Sequence, residues 1–186
     1  MNDIPTPLGH SALIYNIYRL NNFLNLPACI VGSVLPDLES IPAILSSVFP
    51  ELRPFSRGLL HSFVGIPIVV ILSTFTVIFL YPTIVHLLFK LNYLEVKEVC
   101  KPSMNILVSS FIGVLSHVFI DSTCHEYNPL LYPFTSKSID VFLISSDPKF
   151  YMFVELVILL SFIVFNFNAF RKCSRDEFFK KVLVSL

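Results

Sequence analysis

The chain has 186 residues, of which 54% are hydrophobic and 14% are charged, and its formal net charge at pH 7 is zero. Soluble domains usually have about 25% charged residues, so this composition excludes an ordinary water-soluble protein and indicates a lipid environment. The zero net charge argues against nucleic acid as a partner, because nucleic-acid binding depends on clustered Lys and Arg.

Two short helices are predicted before the first long apolar segment. Residues 7–21 have the periodicity of a short helix. Pro27 opens a second apolar segment, residues 28–35, which is too short to cross a bilayer. Repeated prolines and several charged residues then indicate an aqueous or interfacial region between positions 36 and 57. We expect the two helices to pack on the helical bundle or to dip into it, within a single domain that covers residues 1–186.

Three longer apolar segments are predicted to cross the membrane as helices. Residues 63–89 and 103–120 contain no Asp, Glu, Lys or Arg, and residues 151–170 contain only Glu155. A helix needs roughly 20 mainly apolar residues to cross the hydrocarbon core. The predicted fold class is therefore all-α: a helical membrane protein with about three transmembrane helices and short or interfacial helices at the N-terminus.

The charges that flank these segments predict an orientation. The segment after the last span is basic, and the positive-inside rule keeps such a segment in the cytoplasm. Its charges are Arg171, Lys172, Arg175, Lys180 and Lys181. Counting back across three spans places residues 36–62 and residues 122–150 outside. We therefore expect an integral protein of the cell membrane with a cytoplasmic C-terminus.

The end of the second predicted span carries three metal-binding side chains, His117, Asp121 and His125, at four-residue spacing. Residues at i, i+4 and i+8 of a helix project from nearly the same face. Imidazole and carboxylate groups are ligands of Zn²⁺, Mn²⁺ and Fe²⁺. Ionisable groups at the edge of an apolar segment are expensive, so they usually have a partner or a function. His61 begins the first span, and the order of the spans brings it to the same membrane face.

Four further motifs contain residues of related chemistry. They are Gly9-His10-Ser11, the segment from Gly32 to Glu39 with its Pro36-Asp37 pair, Arg57-Gly-Leu-Leu-His61-Ser62, and Pro129-Leu-Leu-Tyr-Pro133-Phe134. Each has an ordinary explanation when taken alone. An isolated histidine is most often a surface or capping residue, a Pro-Asp pair is a common turn, and Arg or His beside a span can be an interfacial anchor.

Taken together, the order and spacing of these motifs resemble the family of membrane-bound metal-dependent hydrolases that includes the bacterial inner-membrane protein regulated with the SOS response. The ligand order is also similar to that of zinc-dependent phospholipase C and the related single-strand nucleases. The resemblance implies a set of six metal ligands: His10, Asp37, His61, His117, Asp121 and His125. Mixed His and carboxylate ligation favours one or two divalent ions, with Zn preferred and Mn or Fe also suitable.

Two further residues are candidates for catalysis. Arg57 has the planar fork of donors that holds a phosphate oxygen or a developing negative charge. Glu39, which stands where the resembling family has an Asp, could be a ligand, an acceptor that fixes a histidine tautomer, or a general base. The predicted function is hydrolysis of a phosphodiester or ester bond at one membrane face. The expected partners are the lipid bilayer and a small-molecule or lipid substrate that the sequence does not identify.

Two other functions are compatible with the same residues. The first is a non-catalytic helical membrane module, in which a polar cluster or a structural metal joins the helices. Interhelical polar contacts average well under about 2 kcal/mol, so such a large cluster exceeds what packing requires. The second is metal or proton transport, which normally places ionisable groups near the middle of the bilayer rather than at the ends of the spans.

Overall fold

The computed structural model describes residues 6–20, 23–41, 58–125, 127–145 and 147–185, and these residues form helices and loops without a strand. The helices are, in chain order, α1 (Pro7–Leu20), α2 (Leu26–Val34), α3 (Gly65–Phe89), α4 (Tyr93–Val99), α5 (Met104–Cys124), α6 (Pro148–Lys172) and α7 (Arg175–Phe179). Shorter turns are the 3₁₀ segments Leu35–Ser40 and Asp140–Phe142 and the π segments Thr76–Leu80, which lies within α3, and Lys180–Val184. The predicted all-α fold class is confirmed.

Three of these helices are long and apolar enough to cross a membrane: Gly65–Phe89, Met104–Cys124 and Lys149–Phe167. They overlap the three predicted spans, residues 63–89, 103–120 and 151–170. The span in α5 is 56% buried within the protein, whereas the span in α6 is 11% buried. Helix α5 is therefore the central helix, and α6 presents most of its apolar surface to the lipid.

Helices α1 and α2 form an antiparallel hairpin that runs beside α5. His10 in α1 and Ser33 in α2 both lie at the C-terminal end of α5, against Asp121 and His117 respectively. Asn25, which caps α2, lies at the opposite end, where its backbone N–H donates to the side chain of Ser109. A helix of 14 residues is roughly 21 Å long, about two-thirds of the hydrocarbon thickness. The hairpin therefore enters the bundle deeply and returns to the face from which it came.

Helices α2 and α5 approach each other closely where they cross. A Cβ atom added to Gly113 would lie 2.5 Å from the carbonyl oxygen of Cys29, and one added to Gly32 would lie 2.6 Å from the α5 backbone. Small residues at a helix crossing allow two backbones to approach this closely. Ser33 follows Gly32, and His117 is one turn beyond Gly113. The crossing therefore places the Ser33 backbone against the His117 imidazole.

Polar contacts hold α1 against α6 within the span. The Tyr15 hydroxyl donates to Asn166 Oδ1 over 2.7 Å, and the Asn16 amide donates to Ser161 Oγ over 2.6 Å. Such interhelical hydrogen bonds each contribute about 0.6 kcal/mol on average. Because α1 carries His10, these contacts help to position one of the predicted ligands.

Candidate metal centre

Four side chains converge where α5 ends and α3 begins: Asp37, His61, His117 and Asp121. Each offers one ligand atom, and the four atoms lie within 4.8 Å of one another. His61, His117 and Asp121 are buried, and Asp37 is partly exposed. This Asp-His-His-Asp group could hold a metal ion, and it contains four of the six predicted ligands.

Four distances within the group are close to those of ligands that share one ion. The Nε2 atoms of His61 and His117 are 3.3 Å apart, and His61 Nε2 is 3.4 Å from Asp121 Oδ2. His117 Nε2 lies 3.7 Å from both Asp121 Oδ2 and Asp37 Oδ1. Ligands at roughly 2.0–2.1 Å from a tetrahedral Zn²⁺ are about 3.3–3.4 Å apart. Only small adjustments would bring these atoms to that geometry.

In His61 and His117, the hydrogen bond made by Nδ1 determines that Nε2 faces the centre of the group of four. His117 donates its Nδ1–H to the Ser33 carbonyl over 2.8 Å, and His61 donates its Nδ1–H to Glu39 Oε2 over 3.0 Å. Since a carbonyl and a carboxylate only accept, the neutral imidazoles keep their Nε2 lone pairs for the centre. Two such lone pairs and a carboxylate repel one another at this distance, whereas a cation among them is attracted to all three. The donor set therefore fits a divalent metal.

Glu39 is held by several donors. Its Oε2 accepts from the Leu60 backbone N–H over 3.0 Å as well as from His61. Burial raises the pKa of Glu39, but the hydrogen bond from His61 and those from the backbone of Gly58 and Leu60 outweigh it, so the pKa lies below its ordinary value. Glu39 therefore stays charged near neutral pH. Of its three candidate roles, this geometry favours the acceptor that fixes a histidine tautomer.

The two remaining predicted ligands lie beside Asp121 but outside the group of four. His10 Nε2 is 3.1 Å from Asp121 Oδ1, and His125 Nε2 is 3.8 Å from the same oxygen. The His10 ring stacks on the His117 ring with 4.0 Å between centroids. All six predicted ligands are thus gathered around Asp121.

Arg57 and Glu155 are the other candidate residues. Arg57 is outside the described residues, so its role stays a prediction. Glu155, in α6, accepts from the backbone N–H of Thr6 over 3.3 Å and is not a member of the group of four. A surface cleft of about 620 Å³ at the other end of α3 contains none of the predicted ligands; its lining is His86, Lys90, Leu91, Asn92, Tyr93, Glu95, Asp176 and Lys180.

One functional group was not predicted: the Ser33 carbonyl that orients His117. A backbone carbonyl has no signature in the sequence, but small residues do. Gly32 and Gly113 each have a serine or cysteine one turn away along the helix. Small residues spaced in this way are typical of a close helix crossing, and they could have indicated that α2 contacts α5 near His117.

A family model described as YdjM inner membrane protein matches residues 8–180. The chain belongs to the YdjM inner membrane protein family. The match includes the three spans and all six predicted ligands, so the predicted membrane location agrees with the family. No curated protein and no solved structure matches the chain. The family description names no reaction, and the hydrolase and phospholipase parts of the resemblance therefore stay predictions.

Proposed function

We propose that this member of the YdjM family is a membrane-embedded, metal-dependent hydrolase of phosphodiester or ester bonds. One observation carries the proposal: the Nε2 atoms of His61 and His117 lie 3.3 Å apart beside Asp121, while Glu39 and the Ser33 carbonyl occupy their Nδ1 atoms. These two contacts orient both imidazoles for binding a cation while the cation is still absent. Zn²⁺ is the preferred ion, and Mn²⁺ or Fe²⁺ also suits the ligands.

Each of the candidate residues would have its own role in hydrolysis. A divalent ion held by Asp37, His61, His117 and Asp121 would supply Lewis acidity, and in a shell that expands beyond these four ligands it would activate water near neutral pH. The Glu39 carboxylate increases the basicity of His61 and holds its ring in one plane. A buried apolar cluster joins α3 to α5, the helix that carries His117 and Asp121: it includes Ile66, Val69, Val70, Val114 and Val118. Arg57 is the proposed contact for an anionic substrate oxygen.

The exposure of the group of four and its position along the spans support an enzyme rather than a transporter. The side chain of His117 is fully buried, whereas that of Asp37 is 19% exposed, so a substrate would approach from the side of Asp37. His61 precedes α3, and Asp121 is in the last turn of α5. The centre is therefore at the ends of two spans and not in the middle of the bilayer. With the basic C-terminal segment in the cytoplasm, this face would be non-cytoplasmic.

A second candidate function is a structural metal that joins the helix ends without catalysis. The observation that favours it is the number of ligands, because four protein ligands complete a tetrahedral Zn²⁺ and leave no position for water. Under this alternative, removal of the metal would lower the melting temperature strongly. Under the hydrolase proposal, removal would abolish activity and leave the spans folded.

The test compares detergent-purified wild type with His61→Ala/Asp121→Ala. We expect about one or two equivalents of Zn, Mn or Fe in the wild type by mass spectrometry, together with hydrolysis of bis(4-nitrophenyl) phosphate or a phospholipid, and neither in the variant. His86→Ala is the matched control, because His86 contacts the Leu91 carbonyl at the other end of α3. Metal without hydrolysis, combined with melting on chelation, would favour the structural alternative. No metal in the reconstituted wild type would refute both.

A further inference from the structure

The surface cleft at the end of α3 opposite the metal centre is built by three separate parts of the chain. Its lining comes from the end of α3, from the loop and first turn of α4, and from the segment that follows α6. The Phe89 and Phe179 rings contact each other with 4.8 Å between centroids, and the Tyr81 hydroxyl donates to the Leu183 carbonyl over 2.8 Å. The C-terminal segment is thus packed against α3. The cleft volume of about 620 Å³ lies within the range of small-molecule sites, roughly 300–1,000 Å³.

The charged side chains that line this cleft have both signs. Lys90 and Lys180 are the cations, and Glu95 and Asp176 are the carboxylates. Lys180 Nζ lies 2.5 Å from Glu95 Oε2, so opposite charges already stand side by side. A simple anion would meet repulsion as well as attraction in these surroundings. A ligand that contains an anion and a cation close together can pair with both kinds of group.

Lys90 has a backbone conformation that normally belongs to glycine. It ends α3 with φ 61° and ψ 22°, and its N–H donates to the His86 carbonyl over 3.0 Å. Glycine is the usual residue where a helix ends in this way, because a Cβ atom disfavours the left-handed region. The chain nevertheless has a lysine here. A residue kept in an unfavourable backbone conformation beside a cleft indicates a function for its side chain.

The cleft lies at the end of a membrane span, beside apolar surface. Lys90 directly follows the span Gly65–Phe89. Leu87 and Leu88, in the last turn of that span, are 60% and 66% exposed, so their side chains would face the acyl chains of the bilayer. A ligand with an apolar tail can therefore lay the tail along α3 and place its polar head in the cleft.

We propose that this cleft binds the headgroup of a phospholipid whose headgroup is phosphoethanolamine. Lys90 and Lys180 donate to the phosphate, and Asp176 accepts from the ammonium. His86 donates its Nδ1–H to the Leu91 carbonyl over 2.7 Å, so Nε2 of the neutral ring is a second acceptor for the ammonium. Phosphocholine also has both charges, but its quaternary ammonium has no N–H to donate. The site is separate from the metal centre and does not rest on the proposed function.

The test measures the binding of dihexanoyl phospholipids to the detergent-purified full chain by native mass spectrometry. We expect phosphatidylethanolamine to bind about tenfold more tightly than phosphatidylglycerol or phosphatidylcholine with the same acyl chains. Soluble O-phosphoethanolamine, which has the headgroup but no acyl chain, should bind far more weakly. Equal affinity for the three lipids would overturn the proposal. Binding of the soluble compound as tightly as the lipid would exclude a lipid as the ligand.

Lys90→Gly separates ligand binding from folding. Glycine suits a φ of 61° better than lysine does, so the melting temperature should be kept or raised, while the affinity for phosphatidylethanolamine should fall about tenfold. Lys101→Gly is the matched control, because Lys101 lies at the same end of the bundle but pairs with Glu98 outside the cleft. We expect this control to bind as the wild type does. Unchanged affinity in Lys90→Gly, or an equal loss in Lys101→Gly, would refute a specific site in the cleft.

Asp176→Asn tests the ammonium contact on its own. The substitution removes the carboxylate charge but keeps the size of a side chain in the first turn of α7. We expect the preference for phosphatidylethanolamine over phosphatidylglycerol to fall to within about twofold. A preference as large as that of the wild type would contradict the contact between Asp176 and the ammonium.

Discussion

Substitution of Gly113 by Ala is expected to weaken metal binding, although Gly113 is not itself a ligand. The added Cβ would lie 2.5 Å from the Cys29 carbonyl oxygen and 3.1 Å from the Ser33 nitrogen, and ordinary contacts begin at 3.4 Å, so α2 must retreat by roughly 0.9 Å. The hydrogen bond from His117 Nδ1 to the Ser33 carbonyl, now 2.8 Å, would then lengthen to about 3.5 Å or more, beyond useful range.

The size of the effect follows from what this hydrogen bond does. Loss of an outer contact that orients a ligand typically lowers metal affinity about 10- to 100-fold. Overpacking of the crossing should also cost about 1–3 kcal/mol of stability.

The assay is a competition titration of Gly113→Ala with a chromophoric chelator, alongside thermal unfolding followed by circular dichroism. Ser116→Ala is the control on the same helix, since its hydroxyl bonds the carbonyl of Gly113 one turn earlier. We expect the control to retain wild-type affinity. A folded Gly113→Ala protein with wild-type affinity would refute the link between the crossing and the orientation of His117.

Three further predictions concern other contacts. Glu39→Gln removes the charge opposite His61 while keeping the side-chain size, so metal affinity should fall about tenfold in the same titration; equal affinity would contradict the orienting role of Glu39. Tyr15→Phe removes the buried hydrogen bond to Asn166 and should lower the free energy of unfolding in mixed micelles by about 0.6–1.7 kcal/mol; an unchanged value would mean that this bond does not hold α1 to α6. A fluorescent protein fused to the C-terminus should fluoresce, and alkaline phosphatase fused there should be inactive; the opposite pattern would reverse the proposed orientation.

The spans and the face of the site could be predicted because each depends on a pattern along the chain. The near absence of charged residues located the three long helices, and the spacing of His117 and Asp121 put them on one helix face. Antiparallel order of the spans then placed His61 at the same end. These inferences needed no knowledge of how the helices pack.

The partners of the histidines could not be predicted, because they depend on packing. Ser33 orients His117 through its backbone, which is the same for every residue type. Glu39 could be given three roles because its identity does not say which way its carboxylate points; its contact with His61 favours one of them. The depth of the α1–α2 hairpin also escaped prediction, since its helices are too short to be recognised as spans.

The position of His10 has a consequence for how the protein is made. His10 is synthesised before α6, yet α6 holds α1 in place, through Glu155 at Thr6 and Asn166 at Tyr15. Helix α6 leaves the ribosome after every ligand has been made. A chain that stops before α6 therefore contains all six ligands but lacks the support that brings His10 to Asp121. Acquisition of a full complement of metal would accordingly distinguish finished molecules from incomplete ones in the membrane.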